Sequence, residues 1–406
     1  MQPCRVCGGP VRMFIDLGRQ PSANRFLMPS EVADERFLQL TVGMCEQCTM
    51  VQLLEDMPPE VRYHATYRYH ASGSASHRKH FGQVAQRFLD EELARRSDPF
   101  IVEIGCNDGV MLETIAQAGV RHLGVDPAKD VAALAAAKGI SVRTTFFDEP
   151  TAVQIRAEHG PADVIFGANT ICHIDDQAAL LRGVGELLAA DGVFVFEEPY
   201  LATVIEGMAF DQIYDEHIYY FTARSVAALA ERFGLRLIDV EELALHGGEV
   251  RYVLGRPSGR QPTPAVAEML AREAEQGLAD PDRLARYAGD VARVRSELVQ
   301  LLTDLRASGN TVVGYGAPGK TATVTNYFGI GPDLVPFVCD STPAKQGLLV
   351  PGSHIPVRSP EAFAAAEPDF ALLFAWNHAE EIMANEKAFR DRGGRWIRYV
   401  PDVEII

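Results

Sequence analysis

From residue 100 onward, short apolar runs closed by glycine or acidic turns alternate with amphipathic stretches. "PFIVEIGCNDG" is an apolar run ending in a glycine-rich turn, and "RHLGVDP" is a second run ending in an acid. "ADVIFGANTICHI" and "GVFVFEEPYL" are two more, separated by the helical pattern of "QAALLRGVGELLAA". A helix over "TARSVAALAERFG" and strands over "LRLIDVEEL" and "GEVRYVLGR" follow. Strands buried on both faces read as continuous apolar runs, so this alternation predicts a mainly parallel sheet with helices on both faces. A proline-rich break, "RQPTPA", stands near residue 260, and residues 265–307 read as helix interrupted at Pro281. A second, shorter alternation starts at residue 310 with "TVVGYGAPGKTATVTNYFG" and continues through "LVPFVCD", "DFALLFAWN" and "RWIRYVP".

Before residue 60 the pattern is different. "QLTVGMCEQC" reads as a strand running into a tight turn, and a Tyr- and His-rich connector, "YHATYRYHASGSASHRKHF", leads to the first alternation. No repeat of fixed period and no low-complexity tract occurs. The pattern therefore divides the chain into a small N-terminal module (1–65), a larger α/β domain (66–258), and a helical connector with a smaller α/β domain (259–406).

Length and composition agree with this division. A chain of 406 residues accommodates two or three cores, and 47% hydrophobic with 23% charged residues is ordinary globular composition. The formal charge of −17 argues against a nucleic-acid partner, which demands concentrated Lys and Arg. Small anionic carriers stay open, because one basic pocket can sit in an acidic protein. "MQPCRVCGGP" lacks a basic segment followed by an apolar core, and no apolar run approaches the roughly 20 residues that span a bilayer. The expectation is a cytosolic protein with no membrane partner; a monomer is compatible with the sequence, which leaves the oligomeric state open.

Four of the seven cysteines form two C-x-x-C pairs, Cys4 with Cys7 and Cys45 with Cys48. In a reducing compartment two such pairs point to a four-thiolate Zn²⁺ site rather than to disulfides. Each tight turn supplies two sulfurs, and two turns close a tetrahedron with no position left for a substrate, so the metal would be structural. Unrelated buried thiols or a redox pair are the competing readings.

The turn "EIGCNDG" leaves a strand and enters a helix, the place where a ligand approaches backbone at the carboxyl edge of a parallel sheet. Glu103, Gly105, Asn107 and Gly109 form it, and Asp126 ends the next strand, where a carboxylate can accept from ribose hydroxyls. A dinucleotide site prefers G-x-G-x-x-G. Here an acid opens the turn and no third glycine is in register, which suits S-adenosylmethionine, a ligand without a pyrophosphate; a nicotinamide site and a plain structural turn are the alternatives. The two strands after the last helix, in place of one, favour the methyltransferase sheet. Beyond the later strands lie "ANTICHIDD" and "YDEHIYYFT", which hold His173, Tyr214, Glu216 and His217. A histidine beside a carboxylate and phenols is equipment for removing a proton from carbon and holding an enolate.

Taken together, "DLGRQPSANRFL", "YRYHASGS", "EIGCNDG", "YDEHIYYFT", "HGGEVRY", "GYGAPGKT", "WNH" and the C-x-x-C pairs span essentially the whole chain. The combination resembles the nucleotide-linked deoxysugar C-methyltransferases, which methylate a carbon next to a 4-keto group. The resemblance implies a zinc module, a class I adenosylmethionine-dependent methyltransferase sheet and a C-terminal Rossmann-like domain. It further implies a dTDP-type 4-keto-deoxysugar as substrate and a place in deoxysugar, antibiotic or other natural-product biosynthesis. In this light His217 matches the family's base, with Glu216 orienting it or sharing the role. Tyr69, His173 and Tyr214 match pocket positions that could donate to the enolate. A different small ketone or sugar as acceptor, or an inactive nucleotide-sugar-binding protein of the same build, are the alternative functions.

"GYGAPGKT" also satisfies G-x-x-x-x-G-K-T, the phosphate-cradling loop of nucleotide hydrolases. Such a loop needs an acid to hold Mg²⁺, a role open to Asp340, but the chain beyond Thr311 is short for a hydrolase core. Pro318 removes a backbone N–H from the nest that would hold phosphate. The same residues contain a Rossmann-type turn, Gly314, Gly316 and Gly319. This reading makes Lys320, with Gly316 and Asn377, available to the diphosphate of a nucleotide sugar, against the plainer alternative of a tight turn with an exposed lysine.

Overall fold

The C-x-x-C turns stand at the joints of the first antiparallel strands, Cys4 and Cys7 ahead of the first and Cys45 and Cys48 where the second gives way to the third. In the computed structural model, which describes residues 3–58, 70–245 and 247–406, these are β1 (Val11–Pro21), β2 (Phe37–Cys45) and β3 (Val51–Leu53). β1 pairs with β2 from Val11↔Cys45 to Pro21↔Phe37, with register shifts between Met13 and Ile15 and between Asp16 and Arg19. Those irregularities break the period of two on which sequence patterning relies, and they explain why β1 is not visible as an alternating run.

The central part supplies β4 (Phe100–Ile104), β5 (Arg121–Val125), β6 (Val142–Arg143), β7 (Ala162–Ala168), β8 (Leu188–Pro199), β9 (Tyr219–Tyr220), β10 (Arg236–Leu243) and β11 (Glu249–Gly255). Seven of them form one sheet in the order β10-β11-β8-β7-β4-β5-β6, in which β11 runs antiparallel to both neighbours. This is the class I methyltransferase arrangement, and the two final strands expected from the sequence form its antiparallel hairpin. β9 leaves that sheet and completes the N-terminal one, pairing with β3 at Val51↔Tyr220 and Gln52↔Tyr219.

The helical pattern expected through Ala190 stops sooner: the helix is Gln177–Leu187 and Leu188 already begins β8. At Pro281 the long helical stretch is divided into Pro264–Glu275 and Pro281–Ala307. Asp280 caps the second by accepting from the Asp282 N–H, and proline fits the first helical turn, where its missing N–H has no partner to lose.

Beyond it lie β12 (Val312–Tyr315), β13 (Val338–Cys339), β14 (Val357–Arg358), β15 (Phe370–Leu373), β16 (Arg395–Arg398) and β17 (Glu404–Ile405). Their order is β14-β13-β12-β15-β16-β17, parallel except for β17, a Rossmann-like sheet whose strand order reverses between β12 and β15. The N-terminal module braces this sheet: Leu27 and Leu349 exchange backbone hydrogen bonds at 3.1 and 2.8 Å, and His354 Nε2 meets Glu35 Oε2 at 2.8 Å. Among the described residues no helix is long and apolar enough to cross a membrane.

Candidate active site

The carboxyl edges of the two parallel sheets face one cavity of about 580 Å³, to which the N-terminal module contributes Asn24. Glu103, Gly105, Asn107 and Asp126 form one group on its wall, His173, Tyr214, Glu216 and His217 a second, and Lys320, Lys345 and Asn377 a third.

In the first group Asp126 holds the glycine-rich turn in shape. Its two carboxylate oxygens accept from the backbone N–H of Asn107 (2.9 Å) and of Ala128 (2.8 Å). Gly105 and Asn107 both have positive φ, at 70° and 48°, and at Gly105 an added Cβ would lie 2.3 Å from Thr170 Oγ1. The connector latches onto the same turn: Asn107 Oδ1 accepts from the Ala71 N–H at 3.0 Å, and Asp108 from the Ser72 N–H and hydroxyl. Glu103 is 5% exposed, and its Oε2 is buried with no hydrogen-bond partner among the described residues. Burial, reinforced by Asp126 and Asp108, raises its carboxyl well above the usual range. An orphaned acid on the wall of a cavity fits a ligand that brings its own donors, as the ribose and ammonium groups of adenosylmethionine do.

In the second group, the loop after β8 presents His217. Its Nδ1 lies 2.8 Å from the Gln212 carbonyl oxygen, which can only accept, so the proton sits on Nδ1 and Nε2 is left as the basic nitrogen. The ring stacks on His173 (centroids 5.2 Å apart, planes at 23°) and packs against Tyr214 at 4.1 Å. Burial, with Glu216 adding its charge, pushes the Tyr214 phenol well above its ordinary value, so the phenol keeps its proton. Glu216 accepts from Asn24 Nδ2 at 2.9 Å, and the neighbouring Asp215 accepts from the Ala23 N–H at 2.9 Å. His173 ends a 3-10 turn, Ile171–His173, in which the Ile171 and Cys172 N–H groups donate to Glu198 and the His173 N–H to the Thr170 carbonyl.

In the third group stands Lys320, at the start of the helix Lys320–Phe328. It is buried, which overturns the alternative of an exposed lysine on a tight turn. Its Nζ donates to Asn377 Oδ1 at 3.1 Å, lies 3.8 Å from Asp211 Oδ2, and sits 3.8 Å from the centre of the Trp376 ring. Burial pushes its pKa down to about 8, with Asp211 opposing the fall. Asp340 accepts from the Ala317 N–H at 2.7 Å and the Thr342 N–H at 2.8 Å. It thus closes the "GYGAPGKT" turn as Asp126 closes "EIGCNDG".

The four N-terminal cysteines meet with their sulfurs all within 4.8 Å of one another. Each knuckle turns backbone donors onto sulfur: the Val6 N–H reaches Cys4 at 3.4 Å, Gly9 reaches Cys7 at 3.4 Å and Gln47 reaches Cys45 at 3.4 Å. Donors aimed at sulfur favour thiolates, the form that binds Zn²⁺, so the set fits a closed tetrahedral site.

The cavity therefore collects most of the positions singled out from sequence. Gly109 and Gly316 are not on its wall. A Cβ at Gly109 would lie 2.2 Å from Ile140 Cδ1, and one at Gly316 would lie 2.5 Å from Ala375 Cβ, so both serve close packing beneath the turns. Tyr69 lies outside the described residues. Sequence reasoning missed Asn24, Asp211, Trp376, Lys345 and Glu198. Asn24 stands in the quoted "DLGRQPSANRFL", and the paired acids of "FEEP" were a signal for Glu198, since acids ending a buried strand need partners.

Sheet order, the acid-opened glycine turn and the shared cavity define an adenosylmethionine-dependent methyltransferase with an attached zinc module. Three family models match consecutive stretches: a zinc binding domain over residues 4–63, a methyltransferase domain over 75–240 and a C-methyltransferase C-terminal domain over 244–401. The chain is 37% identical to C-methyltransferase NovU of Streptomyces niveus over 99% of its own length and 96% of that protein's. It belongs to this C-methyltransferase family, and its cofactors are S-adenosylmethionine and structural Zn²⁺. A ubiquinone biosynthesis O-methyltransferase of Azorhizobium caulinodans is 29% identical over 29% of this chain and 45% of its own. Among solved structures, a SAM-dependent methyltransferase of Anabaena variabilis is 19% identical and covers 43% of this chain and 83% of its own at a TM-score of 0.35. The SAH-bound magnesium protoporphyrin IX methyltransferase of Synechocystis PCC 6803 is 13% identical and covers 44% and 83% at 0.34.

Proposed function

We propose that this C-methyltransferase deprotonates the carbon beside the keto group of a nucleotide-linked 4-keto-deoxysugar and methylates that carbon. The observation that carries the reading is that one cavity brings His217, whose Nε2 is the basic nitrogen, together with the acids Glu103 and Asp126 and with two lysines. Among the described residues Lys320 and Lys345 are the lysines of the cavity, and a diphosphate carrier calls for paired cations there. Asn377 orients Lys320.

In this reading Glu103 and Asp126 hold the cofactor's polar groups beside Gly105 and Asn107. The bound cofactor supplies an electrophilic methyl on sulfonium sulfur. His217 Nε2 takes the α-proton, and the C–H electrons move into the enolate, whose oxygen is held by donors such as the Tyr214 hydroxyl and His173. The enolate carbon would then take the methyl that the cofactor supplies, the S–CH₃ electron pair staying with sulfur. His217 returns its proton to water. Glu216, fixed by Asn24, either steadies His217 or shares its proton. Holding carbon and methyl in attack geometry is the larger part of the gain.

Mass spectrometry of reactions with a panel of nucleotide-linked keto sugars, the corresponding free sugars and small ketones tests this. Methylation confined to the nucleotide-linked members supports it; equal methylation of free ketones overturns it.

A further inference from the structure

Adjacent strand residues point to opposite faces of a sheet, and the successive acids that end β8 use this to brace both walls of the site. Glu197 faces the helix Ala75–Arg87, where its carboxylate meets His80 Nε2 at 2.6 Å and Arg251 Nη2 at 2.6 Å. Glu198 faces the other way. It is fully buried, and its Oε1 accepts from three successive backbone N–H groups: Thr170 at 3.0 Å, Ile171 at 2.6 Å and Cys172 at 3.1 Å. It does not line the cavity.

The turn it gathers joins the two halves of the chemistry. At its start Asn169 has φ of 50°, and Thr170 packs against the Gly105 backbone. At its end the Cys172 carbonyl accepts from the Ile218 N–H at 3.0 Å, beside His217, and His173 follows with its ring stacked on that of His217. Buried backbone donors need acceptors, and here one carboxylate oxygen serves three. We infer that Glu198 is a positioning residue for methyl transfer, holding the 170–173 turn so that His173 stays stacked on His217. The inference rests on the proposed reading of this site.

The test compares Glu198→Ala with Glu198→Gln, whose amide carbonyl still offers the N–H groups an acceptor. In steady-state methyl transfer, Glu198→Ala is expected to lower kcat about 10- to 100-fold, the scale set by a small misplacement of reacting groups. KM for the acceptor should stay close to wild type, and Glu198→Gln should recover most of the loss. A folded Glu198→Ala enzyme with wild-type kcat overturns the inference, as does a Glu198→Gln enzyme no better than Ala. If Glu198→Ala does not fold, Glu198→Asp, which withdraws the carboxylate by one methylene, takes its place with the same expectations. The Hε1 resonances of His173 and His217 in ligand-free protein read the same geometry without any acceptor. Their mutual ring-current shift should disappear in Ala and persist in Gln, and an unchanged shift in Ala overturns the inference. Absence of methyl transfer by wild type across the nucleotide-sugar panel, with those shifts behaving as expected, fails the functional reading alone.

Discussion

Asn24 Nδ2 donates to Glu216 Oε1 at 2.9 Å, so a side chain of the zinc module touches the acid next to the proposed base. The same amide fills the space above Gly319, where a Cβ would lie 2.7 Å from Asn24 Oδ1. Asn24 is thereby the point where the N-terminal module, the methyltransferase loop and the glycine turn of the third sheet meet. Asn24→Ala removes a hydrogen bond to a buried acid, worth about 1–3 kcal/mol, and turnover is expected to fall about tenfold or more. Zinc content, measured by metal analysis, should not change. A variant with full activity would dissociate the module from the chemistry.

Metal analysis of the wild type should find about one Zn²⁺ per chain. Cys45→Ser should lose it and melt at a lower temperature. It should also lose turnover, because the cluster leads directly into β3, which pairs with Tyr219 and Tyr220 beside His217. A metal-free protein of unchanged melting temperature would contradict the structural role.

For the base, His217→Asn is expected to cut turnover by about 10²–10⁴-fold with little change in adenosylmethionine affinity by calorimetry. Solvent-deuterium exchange at the acceptor carbon, followed without methyl transfer, separates proton removal from the later step. Exchange should occur in the wild type and fall in His217→Asn. Persistence there with loss in Glu216→Gln assigns proton removal to Glu216, and indifference to both changes removes this loop from the mechanism.

Lys320 gives a pH dependence. Its value near 8 lies below that of an ordinary lysine, so the side chain is cationic below about pH 8 and neutral above. For the nucleotide-linked acceptor, kcat/KM, which reports the free enzyme, should be flat up to that pH and fall beyond it. Lys320→Arg should hold the plateau to higher pH, and Lys320→Met should be low throughout. Stability moves the other way. The fold favours the neutral lysine, so the cost of keeping the charge is complete below pH 8 and disappears as pH rises toward the ordinary lysine value. Lys320→Met should therefore melt above wild type at pH 7, and that gain should shrink by pH 10. An acceptor pH profile identical in Lys320→Met and wild type would remove the lysine from substrate binding.

Much of this architecture is legible in the chain because its signals are local. The acid-opened turn of Glu103 to Gly109, the acid Asp126 at the next strand end and the paired C-x-x-C turns each lie within one short segment. What stayed hidden depends on distance along the chain. Asn24 meets Glu216, Trp376 Nε1 donates to Asp211 at 2.7 Å, and Tyr399 donates to the same carboxylate at 2.6 Å. No periodicity brings such residues together. Lys320 shows the limit from the other side: its motif announces phosphate binding, but only the fold reveals burial against Trp376 and Asp211 and a mate in Lys345.

The pairing of β3 with β9 carries one more consequence. Until residues 219 and 220 have been synthesised and folded back, the N-terminal module ends in an open edge strand, with Val51 and Gln52 offering unpaired backbone groups to any other chain. The loop that carries His217 is the cover for that edge. A truncated module is therefore expected to self-associate, and an exchange of the module between relatives is expected to require the loop that seals it.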